Sequence, residues 1–474
     1  MKPILFCLLL VTGSTVFSQS LTVEKIMRDP KWIGASPSNP YWSADSKSVF
    51  FNWNPDNAKA DSLYSFSIGG KEPVKLSYAE AQIAGAENNA VYSVSQRLRV
   101  YSYRGDLYLT DMGSGKTTRI TQTEEYESNP VFIRQDSCIA YSRNQNLFAW
   151  NRFTGETIQL TNITHGAETV AAPAFGGGRG GFGGGGARGG GAGNARVGGS
   201  QQEKWLQEEE LGLIQVLQER KQKREDRAAF LKDHREPNEL KNISVGDKMV
   251  QGLQVSPDGN FVTYRLYQAP AGAKNTIVPD YVTESGFTTD KPGRTKVGAP
   301  QGSFEFYVYD RVADTVIKVA MDALPGITDQ PDYVKDYPNK STNRRTPVRG
   351  VMVYSALWNE TGSALALDIY SQDHKDRWIM QLDPKTGKLS LLDRQRDEAW
   401  IGGPGIGYRA NMGWINAHTL YFQSEVSGYS QVYQYDLDTH SKKALTSGNY
   451  EVQDLILSRD HSHFYLVTNE EHPG

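Results

Sequence analysis

The stretch from Thr110 to Thr121 contains the letters GSGKTT, which look like the end of a phosphate-binding loop. Such a loop has the pattern G-x-x-x-x-G-K-[ST], because glycine amides surround the phosphates before the Lys and Ser/Thr side chains reach them. The first glycine of the pattern would stand at position 110, where this chain has a threonine. The residues on both sides alternate as in strands, and no helical apolar stripe follows. We therefore predict a hairpin turn here and no nucleotide site.

A serine nucleophile would need the strained strand-to-helix turn of the pattern G-x-S-x-G, which does not occur in the sequence. The most similar stretch, Gly428-Tyr429-Ser430-Gln431, lacks the second glycine and continues into strand-like residues, so we predict another hairpin turn. The eight histidines are scattered, without the spacing of a zinc helix or a calcium loop. These residues predict no catalytic side chain, no metal and no cofactor.

The phrase around the first motif recurs along the chain. Each copy has an apolar and aromatic strand, a polar turn rich in Gly, Asp and Thr, and a second short strand that often ends in Leu-Thr or Ile-Thr. The copies begin at Ser62, Asp106, Asn146, Glu305, Arg377 and Gln431. A second phrase with its own turn precedes most copies. An example is SPDG at 256–259, where Pro fixes one backbone angle and Gly accepts a positive one.

Two hairpins in each unit predict the four-stranded blade of a β-propeller. Leu63, Leu107 and Leu147 stand 44 and 40 residues apart, close to the roughly 40–50 residues of propeller blades. A blade buries its faces only against neighbouring blades. The predicted fold class is therefore all-β, a seven- or eight-bladed propeller with an inserted glycine-rich loop and α-helix. Because the chain ends at Gly474 directly after a strand, we expect this propeller to be truncated.

Composition agrees with a large exported β-protein. The 474 residues are 38% hydrophobic and 11% aromatic, and the net charge of −3 gives no electrostatic footprint for nucleic acid. Residues 1–20 combine Lys2, an apolar run and small or polar residues, the outline of a secretory signal peptide. We expect export to the periplasm or beyond. Cys7 lies inside that signal, so Cys138 has no partner for an internal disulfide.

The gap between the repeats at Leu147 and Phe306 is too long for one blade and contains two foreign pieces. Residues 175–200 are glycine-rich and resemble an RNA-binding RGG segment, but three arginines in an exported, slightly acidic chain favour a flexible linker. Residues 201–237 carry apolar residues on one face among Glu, Lys and Arg until a proline, which predicts a helix. We expect 175–237 to be an insertion between blades.

Together these features resemble a known family. The hairpin repeats, the SPDG turn, the exported N-terminus and the stretches 278–310 and 445–474 are similar to the N-terminal propeller of bacterial dipeptidyl peptidase IV-like serine peptidases, of the prolyl oligopeptidase group. In that family an α/β-hydrolase domain with a Ser-Asp-His triad follows the propeller. The resemblance implies that residues 21–474 are an incomplete propeller without that domain.

The resemblance also implies a function and partners. The parent protein would be an exported peptidase that releases short peptides from the N-termini of its substrates, with a preference related to proline. Its partners would be the peptide substrate and the hydrolase domain of the same polypeptide, with neither nucleic acid nor nucleotide. A homodimer is compatible with this picture.

One substrate-binding site follows from the resemblance. In the family, a W-x-x-E-E-E phrase on a short helix projects two acidic side chains into the cavity, where they bind the free α-amino group of the substrate. The segment from Trp205 to Glu210 keeps this spacing and matches Glu209 and Glu210 to the two acids. Two carboxylates around one ammonium form short charge-assisted hydrogen bonds.

Three features depart from that family pattern. Gln207 replaces the aromatic residue before the acids, the predicted helix continues far beyond them, and the next SPDG turn lies about 46 residues downstream. The helix dipole and solubility also favour glutamates near a helix N-terminus. The sequence thus leaves two interpretations of Glu209 and Glu210, a site for the substrate ammonium or the solvated start of a helix.

A second class of function fits the same repeats. Exported TolB-like propellers use similar blades to bind protein or peptide partners without catalysis. A G-x-S-x-G pattern within roughly 150 residues after Gly474 would favour the peptidase, and a stop codon there would favour the binding protein.

Overall fold

The computed structural model describes residues 22–27, 35–56, 58–166, 218–223, 225–227, 230, 240–336, 348–407 and 410–471. The chain divides into two compact units. The first consists of residues 1–92 and 98–122, and the second of residues 93–97 and 123–474.

The first unit contains two four-stranded antiparallel sheets whose strands follow the order of the chain. Sheet 1 consists of β1 (Ser38–Trp42), β2 (Ser48–Trp53), β3 (Ser62–Ser67) and β4 (Val74–Lys75). Sheet 2 consists of β5 (Val91–Tyr92), β6 (Leu98–Tyr103), β7 (Asp106–Asp111) and β8 (Thr117–Arg119). Its helices are α1 (Val23–Ile26) and α2 (Tyr78–Asn88).

Helix α2 begins at a capping box formed by Ser77 and Glu80. Ser77 Oγ accepts the backbone N–H of Glu80 at 3.3 Å, and Glu80 Oε2 accepts the backbone N–H of Ser77 at 2.9 Å. Two backbone donors that the first turn leaves unpaired are thereby satisfied.

The second unit contains four further sheets of the same kind, followed by a hairpin after the last of them. Sheet 3 consists of β9 (Ser128–Ile133), β10 (Cys138–Arg143), β11 (Asn146–Asn151) and β12 (Thr157–Gln159). Sheet 4 consists of β15 (Met249–Val255), β16 (Phe261–Gln268), β19 (Ser303–Asp310) and β20 (Thr315–Lys318). Sheet 5 consists of β21 (Val351–Trp358), β22 (Leu365–Ser371), β23 (Asp376–Leu382) and β24 (Leu389–Arg396). Sheet 6 consists of β25 (Met412–Trp414), β26 (Thr419–Ser424), β27 (Gln431–Asp436) and β28 (Ser441–Ala444). The hairpin consists of β29 (Val452–Leu457) and β30 (Phe464–Thr468).

Three smaller elements lie between these sheets. Strands β13 (Asn162–His165) and β14 (Asn242–Gly246) pair in parallel between sheets 3 and 4. Strands β17 (Asn275–Asp280) and β18 (Thr289–Thr295) form an extra hairpin inside sheet 4. A 3₁₀ helix spans Asp332–Asp336. We did not predict the parallel pair or the extra hairpin.

All six predicted copies of the repeated hairpin are present, and the P-loop look-alike is one of them. Lys116 lies in the turn between β7 and β8, where Asp111 N donates to Lys116 O at 3.0 Å. Asp111 Oδ1 accepts the backbone N–H groups of Gly113 and Ser114 at 3.0 and 2.8 Å. This Asx turn accounts for the Gly and Asp of the motif.

Two hydroxyl contacts recur with the repeats. In the first hairpin, Ser43, Ser256 and Ser458 each accept a backbone N–H from five residues downstream at 2.9 Å. In the second, Thr121, Thr161 and Thr446 each accept a backbone N–H from 14 residues upstream, also at 2.9 Å. In the recurring Leu-Thr and Ile-Thr endings, the Thr hydroxyl thus joins the end of the fourth strand to the third strand by a hydrogen bond.

In the second unit, apolar side chains fill the spaces between successive sheets. Val262 and Tyr264 of sheet 4 pack with sheet 3, whereas Phe306 of the same sheet packs with Leu367 and Trp378 of sheet 5. A further cluster joins sheets 5 and 6. This side-by-side packing of four-stranded sheets confirms the all-β, propeller-like fold class, and the number of blades stays a prediction.

Candidate functional site

A groove of about 650 Å³ in the second unit runs beside the first strands of sheets 3, 4 and 5. These strands, β9, β15 and β21, each lie at the edge of their sheet. The polar lining consists of Ser142 and the amide side chains of Asn129, Gln145, Gln251 and Gln254. The apolar lining includes Val131, Val250, Leu253 and Trp358. No charged residue is among those that line the groove in the described part of the chain.

Irregular backbone shapes the lining strands. The strand register shifts between Gln251 and Gln254 in β15 and between Val353 and Ser355 in β21. Gly252, inside the β15 irregularity, has a φ of +59°, and a Cβ there would stand 3.2 Å from Nε of Arg265. Only glycine combines this backbone angle with such a close approach. These irregularities bend the edge strands along the groove.

Side chains of sheet 4 hold the first strand of sheet 5 beside the groove. Gln254 Nε2 donates to Ala356 O at 2.7 Å. Arg265 Nη1 donates to Val353 O, and to Tyr354 O at 3.3 Å. A cavity of about 450 Å³ beside Arg265 is lined by aromatic residues and Met. Sheets 4 and 5 are thus joined here by polar contacts as well as by apolar packing.

The parallel pair β13–β14 brings the two ends of the long segment 167–239 together. Asn162 pairs with Asn242 and Ile163 with Ile243, and both isoleucines are buried in the core between sheets 3 and 4. Thr164 Oγ1 donates to Asn242 Oδ1 at 2.7 Å. The described residues on the two sides of this segment therefore lie next to each other in the second unit.

Their meeting point lies at the edge of the groove. Nε2 of His165, the last residue of β13, is 2.6 Å from Oε1 of Gln145, which lines the groove. Because an amide oxygen only accepts, Nε2 of His165 carries the hydrogen. The base of the segment is thus connected to the groove by one hydrogen bond.

Glu209 and Glu210, the predicted site residues, lie outside the described residues. So do the proposed signal peptide and the glycine-rich stretch 175–200. Within the predicted helix, the described residues 218–223 and 225–227 are helical.

Ser430 belongs to a hairpin turn between β26 and β27, as predicted. Gly428 in that turn has a φ of +91°. Ser430 is fully buried, its Oγ donates to Pro404 O at 2.7 Å, and it lies 3.0 Å from Gln423 Nε2. The hydroxyl is thus held in a structural network.

A buried ion pair in sheet 5 was not predicted from the sequence. Arg377 Nε donates to Asp368 Oδ1 at 2.8 Å, and neither side chain has exposed surface. Burial raises the pKa of Asp368, and the Arg377 cation opposes this effect. Arg377 Nη1 also donates to Gln423 O at 2.8 Å, which joins sheets 5 and 6. Arg377 begins one copy of the repeated hairpin, but the repeat does not indicate that its side chain is buried against Asp368 of the preceding strand.

The described residues contain no group of three or more His, Cys, Asp and Glu side chains arranged for a metal ion. No helix in the same ranges has both the length and the apolar character needed to span a bilayer.

Most of the chain matches a known family. Residues 86–172 and 251–474 match the family described as the dipeptidyl peptidase IV (DPP IV) N-terminal region, and they make up about two thirds of the chain. The chain belongs to the dipeptidyl peptidase IV N-terminal family. Strands β9 and β21 and most of β15 fall inside the matched residues of this family.

Similar solved structures include dipeptidyl peptidase 4 of Porphyromonas gingivalis, with 12% sequence identity and a TM-score of 0.42. A protein from Bacteroides ovatus ATCC 8483, described as a dipeptidyl aminopeptidase IV, has 11% identity and a TM-score of 0.42. Each comparison covers 90% of this chain and 49% of the other, so this chain spans about half their length. An oligogalacturonate lyase in complex with manganese has 9% identity and a TM-score of 0.37, with 91% of this chain and 85% of the other covered. A comparison with curated proteins gives no match.

Proposed function

We propose that this chain is the substrate-gating propeller of an exported serine peptidase that releases short peptides from free N-termini, with a preference related to proline. The family match over residues 86–172 and 251–474 carries the proposal. The signal-peptide outline of residues 1–20 supports export. The triad would come from an α/β-hydrolase domain of the same polypeptide.

The groove suits a peptide main chain. Asn and Gln side chains both donate and accept hydrogen bonds, so Asn129, Gln145 and Gln251 can pair with the N–H and C=O groups of an extended peptide. The apolar lining accepts uncharged side chains. A volume of about 650 Å³ lies within the range of roughly 300–1,000 Å³ typical of ligand sites.

We further propose that residues 175–237 are an insertion whose Glu209 and Glu210 bind the substrate ammonium. The family match stops at residue 172 and resumes at 251, which supports an insertion between them. The contact of His165 with Gln145 supports a location of its base beside the peptide groove. A peptide in an uncharged groove would then meet carboxylates only at its N-terminus.

Labelling with a fluorophosphonate tests whether the reactive serine belongs to the proposed hydrolase domain and not to this chain. We expect no stoichiometric labelling of the 474-residue chain alone, because its sequence lacks the G-x-S-x-G pattern that would present an activated serine beside an oxyanion hole. The polypeptide that includes the hydrolase domain should be labelled once and should release dipeptides or tripeptides. Stoichiometric labelling of this chain alone would contradict the proposal.

The extra hairpin favours a second candidate, a propeller that binds a protein partner or a second copy of itself. Ile277, Val278, Tyr281 and Phe287 on this hairpin are 63, 53, 75 and 79% exposed. Such clustered apolar exposure is typical of interaction surfaces. If the chain is a homodimer, the double variant Ile277→Asp, Phe287→Asp should be monomeric by light scattering. An unchanged mass would leave this hairpin without a role in self-association.

A further inference from the structure

We propose that Arg134 and Arg311, from sheets 3 and 4, form a binding site for a small oxyanion, a phosphate or carboxylate group. The site lies in the turns of these sheets. It does not involve the groove or the insertion.

Both arginines approach Gly259, in the turn between β15 and β16. Arg311 Nη1 donates to Gly259 O at 2.5 Å. A Cβ on Gly259, whose φ is +77°, would stand 3.0 Å from Nε of Arg134. Guanidinium groups from two sheets therefore flank a single glycine.

In the described part of the chain, neither the exposed Arg134 nor the half-buried Arg311 forms an ion pair with a carboxylate. Nε of Arg311 is buried without a hydrogen-bond partner. Burial lowers the pKa of Arg311, the Arg134 cation lowers it further, and only Tyr309 opposes them. Two adjacent cations and an unused buried donor are the environment that a bound anion relieves.

The turn of sheet 3 repeats the arrangement. Arg152 N donates to Ser137 O at 3.1 Å, as Arg311 N donates to Asn260 O at 2.9 Å. Nε of Arg152 is likewise buried without a partner. Residues at equivalent positions of two neighbouring sheets thus both present an unused guanidinium donor.

Carboxylates near the site are occupied by other groups. Asp258 accepts hydrogen bonds from Ser256 Oγ and from the backbone and side chain of Asn260. Asp136 Oδ1 accepts the backbone N–H of Val94 at 3.2 Å. Asp136, Asp258 and Glu360 line a cavity of about 660 Å³ with Arg134 and repel an anion there, so the bound group must be small and held against the guanidiniums. The planar fork of Arg suits two oxygens of phosphate or carboxylate.

Calorimetric titration of the 474-residue chain with inorganic phosphate, and separately with acetate, tests the site at constant pH and ionic strength. We expect one saturable site for at least one of the two anions; the anion that binds identifies the chemistry. Arg134→Gln and Arg311→Gln should each weaken binding about tenfold or more. Arg311→Lys keeps the positive charge but loses the planar guanidinium group, so its affinity for the anion should lie between that of the Gln variants and that of the parent. Lys443→Gln removes one exposed positive charge elsewhere and should bind like the parent.

Circular dichroism melts of each variant show whether it folds. Absence of saturable binding of both anions to the parent chain overturns the proposal. So does equal affinity in folded Arg134→Gln, Arg311→Lys and Lys443→Gln variants. Peptidase activity does not enter this titration, so its outcome is independent of the proposed function.

Discussion

At the residue scale, single hydroxyl groups fix the hairpins from which the sheets are built. Ser256 has no exposed surface, donates to Asp258 Oδ1 at 2.5 Å and accepts the N–H of Phe261 at 2.9 Å. The same contacts occur at Ser458 with Asp460, in a less buried turn. The Ser and Asp side chains within one turn therefore hold both the turn and the register of the strands beside it.

Ser256→Ala should lower the free energy of unfolding by about 1–3 kcal/mol, because Phe261 N–H loses its acceptor in a buried turn. Urea unfolding of the variant and the parent measures this difference in free energy. Ser458→Ala is the matched control, and its loss should be smaller because water can replace the hydroxyl. Equal losses in the two variants would contradict the role of burial.

Glu425 gives the fold a dependence on pH. Burial, then Glu451 and Asp397, raise the pKa of this half-buried carboxyl above its ordinary value of 4.5. The unfolded chain therefore ionises Glu425 at lower pH than the folded chain does, so stability is lost as pH rises above the ordinary value. Glu425→Gln removes that loss.

The melting temperature of Glu425→Gln should exceed that of the parent at pH 7. The difference should shrink as pH falls toward 4.5, because the raised pKa lets the folded parent take up the proton at higher pH than the unfolded chain does. Glu156→Gln, an exposed control, should change little at either pH. A constant difference between Glu425→Gln and the parent across this range would contradict the pKa argument.

At the scale of elements, the buried pair Asp368–Arg377 connects β22 with β23. Removing one partner leaves the other charge buried without compensation. Arg377→Met should therefore destabilise the protein by about 3–5 kcal/mol. The double variant Asp368→Leu, Arg377→Met should recover much of the loss, because an apolar pair of similar size replaces the ions. Denaturant unfolding measures both, and a double variant no more stable than Arg377→Met would contradict this account.

Elements defined by local pattern could be predicted, and elements defined by distant contacts could not. The hairpins were predictable because the Ser, Asx and Thr contacts lie within 14 residues of one another. Ser77 and Glu80 were a readable signal for α2 that we did not use. By contrast, β13 pairs with β14 across 80 residues, and no local pattern indicates such a pairing. The groove is equally non-local, because strands of three separate sheets line it.

At the scale of the whole molecule, the insertion is expected to be separable from the sheets. Replacing residues 175–200 by a short Gly-Ser linker should leave the melting temperature nearly unchanged, because a glycine-rich stretch has no apolar pattern to bury. Ile243→Ser, in the buried base at β14, should lower it clearly. A large drop on linker replacement would show that the stretch packs against the fold.

The central claim concerns recognition of a free N-terminus, and the ratio of kcat/KM for matched substrates tests it most directly. In a polypeptide that includes the proposed hydrolase domain, Glu209→Gln or Glu210→Gln would leave the substrate ammonium poorly paired, at a cost of roughly 2–5 kcal/mol. We predict a loss of tens-fold or more for peptides with a free N-terminus and little change for N-acylated analogues. Glu208→Gln, the first acid of the run, is the control and should behave like the parent. If both kinds of substrate respond equally, or neither responds, Glu209 and Glu210 are only the solvated start of a helix.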